Sequence, residues 1–244
     1  MKYFKLALGF LTAIPIRTEA PQPGDIGRSA MWFPLIGFSL GLILAVAHLL
    51  LSFVFPQLIT AALTVALWVA LTGGLHLDGL ADCCDGLLAT ASSERRLEIM
   101  RDPRLGSFGV IGLTLFLILK TLAFASVPPS SLLPLPFAAS LSRWLIIPVA
   151  LQPQVRPGGL GADFARGLTR PVIIASSLVP LAWLILSLSF GVWHLTFAIL
   201  LAHLLTLALI ALARNCLGGV TGDVFGLTVE LAELIVLLTF AAHV

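Results

Sequence analysis

The sequence predicts an all-α fold: a polytopic bundle of about seven membrane-spanning helices, preceded by an interfacial or re-entrant helix, forming one domain over residues 1–244. Three observations point there. Hydrophobic residues make up 59% of the chain and charged residues only 11%, with a mean hydropathy of +1.06, far from the balance of a soluble domain. Apolar runs long enough to cross a bilayer recur along the chain. The charges are gathered into a few loops. A net charge of +2 is too small to argue for a nucleic-acid partner, so the implied surroundings are lipid. The three cysteines are an odd count without CxxC spacing, which suggests neither a disulfide framework nor a zinc site.

Taken in order, residues 3–14 are apolar but too short to span. Pro15, Ile16 and Arg17 follow where a signal peptide would have small residues, so an interfacial or re-entrant helix is expected. Residues 17–30 read as a polar loop. The expected spans are 32–55, 57–72, 108–127, 131–151, 172–190, 192–213 and 224–240, with short connections at 56, 128–130 and 191. Walking these across the bilayer places every Lys and Arg on one side, apart from Lys120 and Arg143 within spans. By the positive-inside rule that side is cytoplasmic.

The second span runs directly into residues 73–86, GGLHLDGLADCCDG. If the segment is helical from Asp78, the i, i+4, i+7 spacing of Asp78, Asp82 and Asp85 puts three carboxylates within about 60° of one another. Carboxylates this close repel unless a cation sits among them. Asp78 and Asp85 are ~10.5 Å apart along the axis at about 1.5 Å per residue, too far for one ion to bridge. All-oxygen donors favour Mg²⁺ or Mn²⁺, and two ions about 3.5–4 Å apart would suit displacement at phosphorus. His76 points away from the stripe unless the Gly73–Gly74 loop turns it back. Gly79 and Gly86 leave a groove on the neighbouring face where a phosphate or another backbone could approach.

Two further polar regions belong with this one. Residues 93–106 are the most charged part of the chain, and Asp102, Pro103 and Arg104, followed by Gly106 and Gly109, read as an anion-binding turn opening the next helix. Residues 215–226, NCLGGVTGDVFG, place Gly219, Gly222 and Asp223 at the start of the last helix, with Thr221 as N-cap. Asp223 and Glu230 repeat the Asp78 to Asp85 spacing, and Glu233 lies within about a turn of that face. The walk brings both acidic clusters to one membrane surface, where they would hold metal and pyrophosphate between them. Lys120 and Arg143, costly at mid-membrane, each require a polar interior or a partner. Arg143 reads as a phosphate or carboxylate partner. His48, His194, His203 and His243 lie singly on apolar faces and read as structural.

These segments, with WFPLIG at 32–37 and MRDPRLGSFGV at 100–110, resemble the cobalamin (5′-phosphate) synthase family, also called adenosylcobinamide-GDP ribazoletransferases. The resemblance runs over nearly the whole chain. It implies a multi-pass enzyme of the bacterial cytoplasmic (inner) membrane, in late vitamin B12 synthesis, with its active site facing the cytoplasm. Such an enzyme uses Mg²⁺ to join α-ribazole or its 5′-phosphate to adenosylcobinamide-GDP, releasing GMP. On that reading Asp82 and Asp85 ligate the main ion, and Asp78 and Asp223 complete a second position or orient the first. His76 or one of the carboxylates accepts the hydroxyl proton. Arg104 and Arg143, with Gly74, Gly79, Gly86, Gly219 and Gly222, would serve the phosphates. A homo-oligomer is left open.

Two rivals differ in class. In CDP-alcohol phosphotransferases the pattern is DxxDGxxAR, then GxxxDxxxD. Here residues 82–89 match as DCCDGLLA, but Thr90 replaces the Arg and the second half is missing. A cation transporter would show repeated halves and broken spans, for which the sequence offers only the Asp78/Asp223 echo.

Overall fold

The computed structural model describes residues 1–128 and 131–242; Pro129 and Ser130 of one expected connection, and His243, lie outside them. Twelve α-helices form among the described residues: α1 (Lys2–Leu11), α2 (Asp25–Ser29), α3 (Phe33–Ser52), α4 (Gln57–Thr72), α5 (Leu75–Leu88), α6 (Ser93–Ile99), α7 (Ser107–Ala125), α8 (Pro134–Ala150), α9 (Leu160–Gly167), α10 (Arg170–Phe190), α11 (Trp193–Leu217) and α12 (Gly222–Ala241). The all-α membrane fold is as expected. The loop expected at 17–30 holds the short α2, whose buried Asp25 receives Lys2 at 2.6 Å and so ties α1 to it.

The exact count of seven spans is not confirmed. Five helical segments are long and apolar enough to cross: Asp25–Ser52, Ser107–Ala125, Arg170–Phe190, Trp193–Leu217 and Gly222–Ala241. The pair α4 and α5 makes at most a sixth, because the chain bends by 95° between them. Gly73 and Gly74 both lie in the left-handed region, at φ 64° and 70°, which side chains resist and glycine accepts. They end α4 after 16 residues, about 24 Å of helix and short of a hydrocarbon core. Pro134 likewise trims the expected span at 131–151 to the 17 residues of α8.

Small residues and aromatic pairs set the packing. Gly37 and Gly41 of α3 face the backbone of α8 at Ala139 and Pro136 so closely that a Cβ would collide, the small-xxx-small device of membrane helices, where van der Waals contact replaces the hydrophobic drive. Helix α12 is the centre of the bundle, packed against α5, α7, α8 and α11. Phe164 of α9 bridges Phe33 of α3 and Phe225 of α12, at centroid distances of 5.5 and 5.6 Å. The N-terminal turns of α5 and α12 are thereby brought together at one end of the molecule.

Candidate functional site

Where α5 meets α12, backbone touches backbone. A Cβ on Gly79 would stand 2.8 Å from the Asp223 carbonyl oxygen, and one on Gly226 2.8 Å from that of His76. Only glycine permits this approach, and it sets the two acidic segments side by side. They border a cavity of about 260 Å³ whose walls include Phe10, Asp78, Arg156, Phe164, Asp223 and Phe225. Gly79, Gly222 and His76 also line it.

The three aspartates of α5 do different things. Asp78 is exposed at the cavity mouth and Asp82, one turn on, is half-buried; the charges acting on Asp82 are those of Asp223, Asp78, Arg156 and Asp85. Asp85 is buried and turned toward α7, where Gly106 and Gly109 donate their backbone N–H groups to its two oxygens at 2.8 Å each. The anion held by the turn at 102–109 is therefore the chain's own Asp85, capping the first turn of α7 and receiving its dipole. Asp223 accepts from Thr221 Oγ1 and from Arg156 Nη1, both at 3.1 Å.

Arg156, in the loop between α8 and α9, is a site residue that the sequence analysis did not single out. Its position is fixed by a two-bond tie between that loop and the turn before α12: Val155 N–H donates to the Val220 carbonyl at 3.1 Å and Val220 N–H to the Pro153 carbonyl at 2.9 Å. Gly219 sits against Pro153 in the same tie. An Arg followed by Pro157, Gly158 and Gly159 was the available signal, since such a turn holds a side chain near a fixed point. Arg96, in the charged stretch at 93–106, donates to the carbonyls of Gly86, Leu87 and Ala91, closing the C-terminus of α5.

Other expected residues lie elsewhere. Gly74 is in the α4–α5 turn with open space around it, and Gly86 packs on the Met100 side chain. Arg104 is exposed and bound to Asp102 by two hydrogen bonds, 2.9 Å from Nε and 2.7 Å from Nη2. That guanidinium holds the Asp102 carboxyl down at about 2, and the carboxylate raises the Arg104 pKa in return. Arg143 is fully buried in the bundle and paired with Glu233, while Lys120 meets Glu233 and, at 2.8 Å, Glu230. Lys120 also lies 4.2 Å from the Trp68 ring centroid. Each interior cation thus has carboxylate partners. His76 is buried beside this group, within reach of the charges of Arg143 and Lys120, and its Nε2 has no hydrogen-bond partner. His48 pairs with Thr64 at 3.2 Å, a structural role.

Among the described residues no three His, Cys, Asp or Glu side chains converge on one point as a ready metal cage. Donor chemistry nevertheless suits a hard cation. Mg²⁺ keeps several waters and is commonly bound by one or two carboxylates plus substrate phosphates, and Asp78 and Asp223 offer such oxygens at the cavity, with Asp82 one turn further along α5.

Fold and site together define a multi-pass membrane protein with an acidic cavity between two helix starts. The chain belongs to the cobalamin-5-phosphate synthase family, whose description matches residues 3–241, and it is a transferase. It is similar to the adenosylcobinamide-GDP ribazoletransferases of Pseudomonas aeruginosa strain PAO1, 43% identical over 97% of this chain and 96% of that protein, and of Pseudomonas fluorescens, 40% identical over 98% of each. The one from Geotalea daltonii is 37% identical over 99% of this chain and 98% of its own. No solved structure matches.

Proposed function

We propose that this transferase joins adenosylcobinamide-GDP to α-ribazole or its 5′-phosphate, giving adenosylcobalamin or its 5′-phosphate and GMP. Beyond the relatives' names, one observation carries the reading: Asp78 and Asp223, from two distant segments, line one cavity with Arg156, and Asp82, one turn along α5 from Asp78, lies within reach of their charges. Three carboxylates against one guanidinium leave a negative excess at the cavity, which calls for a divalent cation before a pyrophosphate can approach.

A ribose hydroxyl oxygen bonds to the phosphorus on the cobinamide side, the bond from that phosphorus to the bridging oxygen breaks, and GMP leaves with that oxygen. The hydroxyl proton passes to one of the cavity carboxylates. Asp78, Asp82 and Asp223 would hold Mg²⁺, which when bound supplies charge neutralisation for the pyrophosphate and leaving group. The protein's share is mainly positioning and electrostatics, as in other phosphoryl transfers. At about 260 Å³ the cavity lies near the lower limit of small-molecule sites, about 300 Å³. It accommodates the reacting end of a substrate while a corrin ring stays outside.

Purified protein in detergent, given Mg²⁺ and both substrates, should release GMP only when both are present, and EDTA should stop it. Cation flux without product would favour a transporter instead. In the proposed orientation, in which α4 and α8 also cross, the site faces the cytoplasm, so single cysteines at Ser93 and Gly191 should label from opposite membrane faces, Ser93 from the cytoplasmic one.

A further inference from the structure

We infer that Arg156 is a pyrophosphate-binding residue, held ready on Asp223 and transferred to the substrate's phosphate oxygens when a divalent cation takes its place on that carboxylate. This deepens the proposed function and rests on it for the identity of the substrate.

The observations concern one guanidinium with spare capacity. Arg156 lines the cavity, gives Nη1 to Asp223 at 3.1 Å and Nη2 to the Leu97 carbonyl at 3.3 Å. Its Nε is buried and has no partner. A guanidinium has five N–H donors in a planar fork that fits phosphate oxygens two at a time, and a buried donor left unmatched is costly unless a ligand completes it. The Asp223 oxygen it uses, Oδ2, also accepts from Thr221. A cation competing for that carboxylate would weaken the Arg156 bond without displacing the backbone, because the loop is tied to Val220.

Charge supports the same exchange. Without a cation, Arg156 partly offsets the repulsion among Asp78, Asp82 and Asp223. With cation and pyrophosphate both bound, the carboxylates are neutralised by the metal and the guanidinium is free for the new anion. Arg104 is a poorer candidate, since both arms of its fork are engaged by Asp102. Arg143 is buried in the bundle on Glu233.

The test compares wild type with Arg156→Lys, Arg156→Gln and Arg156→Ala in detergent, each first shown by its unfolding midpoint and monodispersity to be folded. Arg156→Ala should raise KM for the GDP-activated donor about 10- to 100-fold, the scale of losing charge-assisted hydrogen bonds, while KM for the ribazole stays unchanged. Arg156→Lys should recover part of the loss and Arg156→Gln less. Mn²⁺ binding, followed by electron paramagnetic resonance, should be as tight or tighter in Arg156→Ala because a competitor for Asp223 is gone. Binding of inorganic pyrophosphate with Mg²⁺, measured calorimetrically, should weaken in step with KM.

Equal losses for both substrates together with weaker Mn²⁺ binding would make Arg156 a structural clamp and overturn the inference, as would a folded Arg156→Ala variant with unchanged donor KM and pyrophosphate affinity. If wild type fails to release GMP yet binds Mg²⁺ and pyrophosphate, the proposed reaction falls and the binding arm alone decides the role of Arg156. Failure of wild type to bind pyrophosphate overturns the inference, while GMP release alone decides the reaction.

Discussion

Helix α12 carries two groups of acids about two to three turns apart, and the bundle completes them in opposite ways. Glu230 and Glu233 meet Lys120 and Arg143, two carboxylates against two cations, all buried. Asp223 shares a solvent-open cavity with Asp78 and Arg156, and Asp82 lies one turn along α5, within reach of their charges. The first group is balanced and closed, so its work is to hold α7 and α8 to α12. The second is unbalanced and open, so it needs something from outside to complete it. One helix thus fixes the architecture and presents the chemistry, and the charge count separates the two duties.

The sharpest way to break this comparison is to remove one carboxylate from each group. Asp82→Asn should lower turnover by about 100- to 1000-fold, the scale of losing one preorganised electrostatic group, with the unfolding midpoint nearly unmoved, as steady-state GMP release and thermal unfolding would show. Glu233→Ala should act through stability, costing about 3–5 kcal/mol because two buried cations lose a partner. Unfolding in mixed micelles measures it. Exchange of the Lys120–Glu230 pair together for Met and Leu should cost less than removing Glu230 alone, since no unpaired charge then remains. If Asp82→Asn unfolds the protein while Glu233→Ala leaves it intact, the two groups have been assigned the wrong way round.

Asp85 falls between these extremes. It shares a helical stripe with Asp78 and Asp82, yet spends both oxygens on the Gly106 and Gly109 amides. Asp85→Asn should cost about 1–2 kcal/mol, as for loss of a capping carboxylate, and loosen the first turn of α7, which amide hydrogen exchange at Gly109 would report. Full retention of Gly109 protection would argue that the carboxylate does no capping.

Local spacing in the sequence made the acidic stripe legible, because i, i+4, i+7 is a property of one helix. The groove expected at Gly79 and Gly86 was half met: the backbone of α12 approaches Gly79, whereas the Met100 side chain packs on Gly86. What stayed hidden is long range. Nothing near Asp85 signals that amides 21 and 24 residues away will bind it, nor does anything near Arg143 name Glu233, 90 residues on. Two of the expected spans come out short for a related reason: hydropathy reports which residues prefer lipid, whereas helix length was cut by Gly73, Gly74 and Pro134 through backbone geometry. Arg156 was overlooked because a charge in a polar loop looks solvated until its loop is seen tied to Val220.

Arg104 offers the smallest effect and sharpens the comparison from outside both groups. It is exposed and its partner Asp102 sits in the surface turn, so the ion pair is screened by water and contributes little. Arg104→Ala should leave the unfolding midpoint almost unchanged while the Asp102 carboxyl rises from about 2 toward its ordinary 3.8, a shift readable by carboxyl carbon NMR. Because the folded pKa is depressed, whatever stability the pair lends is present above the unfolded value and is lost as pH falls toward about 2. The variant should therefore differ from wild type least in strong acid. A large drop in donor affinity with Arg104→Ala, equal to that of Arg156→Ala, would instead place phosphate at the surface turn and move the centre of binding away from α12.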